Sequence, residues 1–246
     1  MKSAIDIIIN EIQNLIGNKN ISEIINFETD NIYNKSAVSV IVKNHIDKNS
    51  FYNLEVLKDY GISLKFIPVN FKYECFEAMS FSNISLYNII FEDWQSQNIE
   101  DSASLKKKLD FSFLFIPIIK VKTKGSYNDY RDWKIGDFSL WQANSKELEL
   151  IGLEWINTKN IIKKGVHLKA VKYGNSFRTS NNLPNQSETN FIHLRPHAKN
   201  SQDYDVPYYK YTNGQVEITK QSFWLNKKYL NNLLKEYRWK MILKEE

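Results

Sequence analysis

An α/β domain with a mixed central sheet flanked by helices is what this sequence predicts, and three observations predict it. The run "FSFLFIPIIKVK" (111–122) is apolar almost throughout, the pattern of a central strand covered on both faces. Helical periodicity brackets it: Ile5, Ile8, Ile9, Ile12 and Ile16 recur near the start, and Leu230, Leu233, Leu234, Tyr237 and Met241 near the end. Strand-like and helix-like segments also interleave along the chain, as they do in layered α/β domains.

Taken in order, the opening "MKSAIDIIINEIQNLIGN" reads as an amphipathic helix stopped by Gly17. Asp6 and Glu11 interrupt its apolar stretch, so it is not a secretory leader. "SAVSVIVKNHI" (36–46) is a second helix, "GISLKFIPVNF" (61–71) a strand, and "ECFEAMSF" (74–81) that strand's expected partner. "DWKIGDFSLWQA" (132–143) reads as one further strand. "SKELELIGLEWINTKNIIKKG" (145–165) is a long helix, with Ser145 as expected N-cap and Gly165 at its end. "VHLKAV" and "NFIHLRPHA" are strand-like and flank the polar loop "RTSNNLPNQSE", and Asn226 is the expected N-cap of the closing helix. "DYDVPYYKY" (203–211) reads as a flexible loop.

The chain's 246 residues, 42% hydrophobic and 25% charged, suffice for a sizeable core. A single cysteine, Cys75, cannot form an internal disulfide, so a reducing, cytoplasmic setting is expected. No run approaches the length needed to cross a bilayer, and no membrane partner is expected. Charge is uneven: residues 1–150 hold 17 Lys and Arg against 20 Asp and Glu, whereas 151–246 hold 16 against 8. That asymmetry points to a polyanion-facing surface in the C-terminal part.

Two segments carry a resemblance. "GISLKFIPVN…EAMSF" resembles the "G-(I/V)-E-L-K-x-(I/T)-P-V" strand and hairpin of the MutH/Sau-type GATC endonucleases. "HLRPHAKNSQDYD…ITKQSFWLNKKYL" resembles the DNA-reading end of that family's restriction enzymes, where "H-(V/L)-R-P-H" precedes "TKQ-x-FW-(I/L)-N" and a final helix. With "KSAVSVIVKNHI" the likeness spans roughly residues 35 to 235. It implies a restriction-endonuclease-like PD-(D/E)xK fold in a single domain: an N-terminal helical segment 1–34, a nuclease core 35–150 and a basic DNA-facing part 151–246.

In that family, carboxylates hold Mg²⁺, which activates the attacking water, and a lysine supports the developing charge. Here Ser63 stands where the strand Glu belongs, Val56 where the Asp belongs, and Lys43 where a helix carries another Glu. Only Lys65 matches. The resemblance therefore implies a degenerate copy that takes no metal of its own, like the C-terminal half of the tandem Sau-type enzymes. Such a copy binds GATC-containing duplex DNA and stimulates a catalytic copy in cis or in trans. Two other readings stand beside it: an active Mg²⁺ endonuclease using displaced acids (Glu55, Asp59, Glu74 or Glu77), and a docking module that binds no DNA.

The expected DNA contacts are Arg195, His197, Lys199 and Asn200 from the first segment, and Lys220, Trp224, Lys227 and Lys228 from the second. Arginine grips a phosphate or donates two parallel bonds to guanine, and Pro196 stiffens the backbone beside it. Strand alternation predicts one of Phe223 and Trp224 buried and the other near the ligand. Zinc shared by His193 and His197 is excluded, because four residues of strand span about 13 Å. "SLKKKLD" (104–110) is a basic run open to solvent or phosphate.

Overall fold

The computed structural model describes residues 3–24, 37–121, 130–205 and 218–238. In chain order its elements are α1 (Ala4–Ile16), α2 (Ala37–Asn49), α3 (Leu54–Asp59), β1 (Ile62–Val69), β2 (Met79–Ser80), α4 (Leu86–Ile89), α5 (Ser104–Leu109) and β3 (Ser112–Ile119). There follow β4 (Lys134–Ile135), β5 (Ser139–Trp141), α6 (Ser145–Lys164), β6 (Lys169–Tyr173), β7 (Ser176–Ser180), β8 (Ile192–Pro196), β9 (Gln221–Leu225) and α7 (Lys227–Glu236). The class is α/β, with sheets of mixed orientation.

The chain divides into two compact units, and neither is a continuous stretch. One joins Met1–Glu77, Phe111–Gln142 and Leu230–Glu246; the other joins Ala78–Asp110 and Ala143–Tyr229. Strand pairing sorts the segments: β3 returns to β1 in the first unit, and β9 returns to β2 in the second.

In the first unit β3 is central. It pairs in parallel with β1 from Ile62↔Ser112 to Val69↔Ile119, and antiparallel with β4 and β5 along its other edge. Ile62 and Leu64 of β1 and Leu114, Ile116 and Ile118 of β3 join one core with Ile8, Ile9, Ile12 and Ile16 of α1, Val38, Val42 and Ile46 of α2, and Leu57 of α3. Each such side chain contributes about 1.5–3 kcal/mol through burial. On the opposite face Phe113 and Phe115 stack with Trp141, with ring centroids 5.6 and 6.1 Å from the indole. α1 starts at a capping box between Ser3 and Asp6.

Several expectations change here. Residues 74–81 do not form a hairpin with β1; only the Val69↔Cys75 bridge joins them, and Met79–Ser80 pairs with β9. Residues 132–143 form two short strands rather than one. The break falls at Gly136, where any Cβ would meet the Tyr73 hydroxyl at 2.8 Å. The N-cap of α6 is Asn144, whose side chain accepts from Glu147 N at 2.9 Å, so Ser145 is already helical. Met241 and residues 206–211 lie outside the described residues, whereas Asp205 is tied down by its N–H bond to Ile218 O at 2.8 Å.

In the second unit β2, β9 and β8 form an antiparallel sheet in that order. α6 holds the start of β8 through one carboxylate. Glu154 accepts from the backbone N–H groups of Asn190 at 2.6 Å, Phe191 at 3.1 Å and Ile192 at 2.8 Å. A residue that sees the helix on one side and three strand donors on the other fixes where β8 begins. Gly152 sits mid-helix for a steric reason: a Cβ there would collide with the Trp94 indole, which also packs on Trp155 with centroids 5.6 Å apart.

Replacing Glu154 with alanine strands three donors at once, two of them partly buried. The expected cost is about 1.5–3 kcal/mol, the range for hydrogen bonds to a charged group. Chemical denaturation of the variant measures it, and an unchanged midpoint would show that water takes over all three donors.

Candidate nucleic-acid interface

Pairing of β8 with β9 sets Arg195 opposite Ser222 and His193 opposite Trp224. Side chains directly opposite share a sheet face, so His193, Arg195, Ser222 and Trp224 occupy one face. Ile192, Leu194, Phe223 and Leu225 occupy the other, and all four are buried. Arg195 and Trp224 are diagonal neighbours, and the guanidinium carbon lies 4.1 Å from the indole centroid. Trp224 is buried while Arg195 is exposed. The stack restrains a long, flexible side chain and leaves its donors for an anionic acceptor.

His197 uses the same indole, edge-on, with ring centroids 5.2 Å apart and planes at 66°. Ser222 Oγ donates to Asn83 Oδ1 at 2.8 Å and therefore accepts from His197 Nδ1–H at 2.9 Å. In the neutral ring this places the acceptor lone pair on Nε2. His193 has a different role. It is 3% exposed, and its Nδ1–H donates to Asn226 Oδ1 at 2.5 Å. Asn226 Nδ2 in turn donates to Thr189 O at 2.8 Å and Oγ1 at 3.0 Å. The Asn226 side chain thus ties the ends of β8 and β9 together instead of capping α7 as expected. Burial lowers the His193 pKa, and the charge of Arg195 adds to the shift against the opposing effect of the Asn226 bond. His193 is a structural group.

Beyond β8 the pairing continues as His197 N–H donates to Lys220 O at 2.8 Å. The intervening turn is built around Asp203, which accepts from Lys199 N at 3.0 Å and pairs with Lys220 Nζ at 2.5 Å. Those two contacts, the Lys199 N–H first, hold the Asp203 carboxyl below its ordinary pKa. Asn200 Oδ1 accepts from Gln202 N at 2.9 Å, which closes the turn locally. Lys199 and Asn200 are exposed beside His197, whereas the ammonium of Lys220 already has a carboxylate partner.

Five of the eight expected DNA-contact residues thus gather at one end of the strand pair: Arg195, His197, Lys199, Asn200 and Lys220. Trp224 lies beneath Arg195. Lys227 and Lys228 do not join them. They start α7 beside Phe191, whose carbonyl accepts from Asn226 N at 2.8 Å, at the far end of the pair. Phe223 and Trp224 are both buried, so the expected split holds only as a difference in face. In α5 the basic run is partly buried: Lys106 donates to Trp94 O at 2.8 Å, and burial lowers the pKa of Lys108. Asn83, Glu154 and Asp203 escaped sequence reading. Asn83 lies 139 residues from Ser222, and no local pattern announces such a pair.

The positions that the resemblance assigns to a metal site belong to the first unit. Ser63 and Lys65 share one face of β1, paired with Phe113 and Phe115. Lys43 is on α2, whose Val42 and Ile46 join the core on the side of Ile62 and Leu64. Lys43 is therefore carried by a helix on the other side of the sheet. Val56 lies in α3, and so does Glu55 beside it. Glu55, Asp59, Glu74 and Glu77 are exposed, and Glu74 accepts from Asn70 Nδ2 at 2.8 Å. A hydroxyl, a hydrocarbon and two ammonium groups do not fit Mg²⁺, which takes hard anionic oxygen ligands. Among the described residues, no group of three or more His, Cys, Asp and Glu is placed to hold a metal. No described helix is long and apolar enough to cross a membrane.

Because its folded pKa lies below the unfolded value, His193 contributes stability above about pH 6.5 that is lost as pH falls through the lower folded value. The unfolding midpoint of the wild-type chain should fall between about pH 7.5 and pH 5 more steeply than that of His193→Gln. Burial also lowers the pKa of His45, which supplies a slope common to both proteins. Parallel curves would show that His193 adds nothing to the pH dependence.

Compared with protein-family models and with curated protein sequences, the chain matches none.

Proposed function

We propose that this chain is a duplex-DNA-binding module of the MutH/Sau type, with a GATC-containing target, and that it does not cut DNA itself. Arg195 carries the reading: an exposed guanidinium is held over a buried indole, with His197 fixed against the same ring by Ser222 and Asn83. A hydrogen-bond fork held in one pose suits a guanine edge or a phosphate, and Lys199 and Asn200 in the adjoining turn suit the backbone beside it. The charge excess of residues 151–246 supports a polyanionic partner. Ser63, Val56 and Lys43 at the carboxylate positions support the absence of cleavage, with Lys65 left beside Phe113 and Phe115. In this reading the module works in the cytoplasm beside a catalytic copy that supplies the Mg²⁺ chemistry, in cis or in trans.

The deciding experiment mixes the chain with a GATC duplex and a scrambled duplex in Mg²⁺ or Mn²⁺, following binding and strand scission together. Preferential binding of GATC without scission is expected. Scission abolished by Lys65→Ala would overturn the inactive assignment, and equal affinity for both duplexes would overturn the specificity.

Arg195→Ala should weaken GATC binding by about 1–3 kcal/mol and narrow the gap to the scrambled duplex. Trp224→Leu should act in the same direction, because it removes the platform under the guanidinium. An equal loss on both duplexes would make Arg195 a phosphate contact.

A further inference from the structure

Residues 155–187 contain no aspartate or glutamate and six lysines and arginines: Lys159, Lys163, Lys164, Lys169, Lys172 and Arg178. The fold places three of the six, Lys169, Lys172 and Arg178, on one projection. β6 and β7 pair antiparallel over five residues each, from Lys169↔Ser180 to Tyr173↔Ser176, as a two-stranded sheet of their own. Gly174 (φ +59) makes the tight turn between them, with Ser176 Oγ donating to Tyr173 O at 3.1 Å. Every residue of β6 is exposed, including Val171 at 48% and Tyr173 at 59%. The base, by contrast, is pinned. Asn182 Oδ1 accepts from His167 N at 2.8 Å, its Nδ2 donates to Gly165 O at 3.3 Å, and Val166 and Leu183 are buried there.

A two-stranded ribbon with β6 exposed along its whole length gains little from burial, so its form calls for a ligand. Its charge names the class. Lys163, Lys164, Lys169, Lys172 and Arg178 are all exposed. Lys169, Val171, Tyr173 and Arg178 share one face by register, with the Arg178 guanidinium 3.6 Å from the Tyr173 ring centroid. A cation restrained on an aromatic ring is the device already seen at Arg195. The chain that leaves β7 at Ser180 soon reaches Asn185, Gln186 and Ser187, which line a depression together with His193, Leu194 and Arg195. A two-stranded ribbon has the width that the major groove of B-DNA admits.

We infer that the β6–β7 ribbon is a second duplex-DNA contact, which grips the groove or its phosphates beside the site of Arg195. The inference rests on duplex binding by this chain, but not on the GATC target. Because its cations meet phosphates, the ribbon adds affinity on any sequence.

The test compares the full-length chain with its triple variant Lys169→Gln, Lys172→Gln, Arg178→Gln on GATC and scrambled duplexes across a salt series. The variant should bind both more weakly by the same factor. Its slope of log K against log[salt] should be shallower by about 2–3, since each phosphate no longer neutralised removes about 0.9. As a probe independent of affinity, Asn175→Cys at the turn carries an iron chelate for strand scission; the native Cys75 is 1% exposed. Scission from the turn should fall on the duplex flank. An unchanged slope with no flank scission would overturn the ribbon contact alone and leave its exposed edge to a protein strand. A wild-type chain that binds no duplex would overturn this inference and the proposed function together. Equal wild-type affinity for both duplexes, with the slope still reduced in the variant, would sustain the ribbon and sink only the GATC assignment.

Discussion

The pleat of paired strands, with its two-residue period, is the constraint on which both sheets depend. In the first unit the parallel register of β1 with β3 sends Ile62, Leu64, Leu114 and Ile116 to the helices and Phe113 and Phe115 to the other face. In the second, the register of β8 with β9 sends Ile192, Leu194, Phe223 and Leu225 inward and leaves His193, Arg195, Ser222 and Trp224 together. A slip of one residue would exchange these sets, burying Arg195 and exposing Phe223. Glu154 at the start of β8 and Asn226 after β9 both oppose such a slip, since each bonds the end of a neighbouring segment.

Placement of the acids explains why the surface of this half is cationic. Four of them serve the backbone: Glu154 accepts from three N–H groups, Glu188 from Asn185 N, Asp203 from Lys199 N and Asp205 from Leu86 N. A carboxylate that satisfies a main-chain donor both stiffens a turn and is less free to neutralise a neighbouring lysine. Lys220 is the exception, paired with Asp203, and it organises the turn that presents Lys199 and Asn200. Arg195 and Arg178 each rest on an aromatic ring instead. Aromatic support orders an arginine without cancelling its charge, which suits an anionic ligand.

The first unit poses a different case. Its strand β1 holds Ser63 and Lys65 one alternation apart, and Ser63 offers a divalent cation a hydroxyl where a carboxylate would be needed. The sheet and its helices stand without that site. The core formed by α1, α2, α3, β1 and β3 depends on hydrocarbon packing and includes none of Lys43, Val56, Ser63 and Lys65.

By itself the sequence determined whatever short-range periodicity encodes. That includes the class, the apolar strand β3, the helices α1, α2 and α6, and strands β8 and β9. It also located the positive charge in the C-terminal part. Tertiary structure alone decided the rest, because pairing between distant segments leaves no local trace. Met79–Ser80 joined β9 and not β1, residues 132–143 broke at Gly136, and Asn226 turned to His193 instead of capping α7. The same holds for the site. Sequence grouped eight residues as one set; the antiparallel register split Lys227 and Lys228 from the others, gave Lys220 a partner, and brought Asn83 from 139 residues away to orient Ser222 beneath His197. Charge is a property of composition, but a surface is a property of which strands meet.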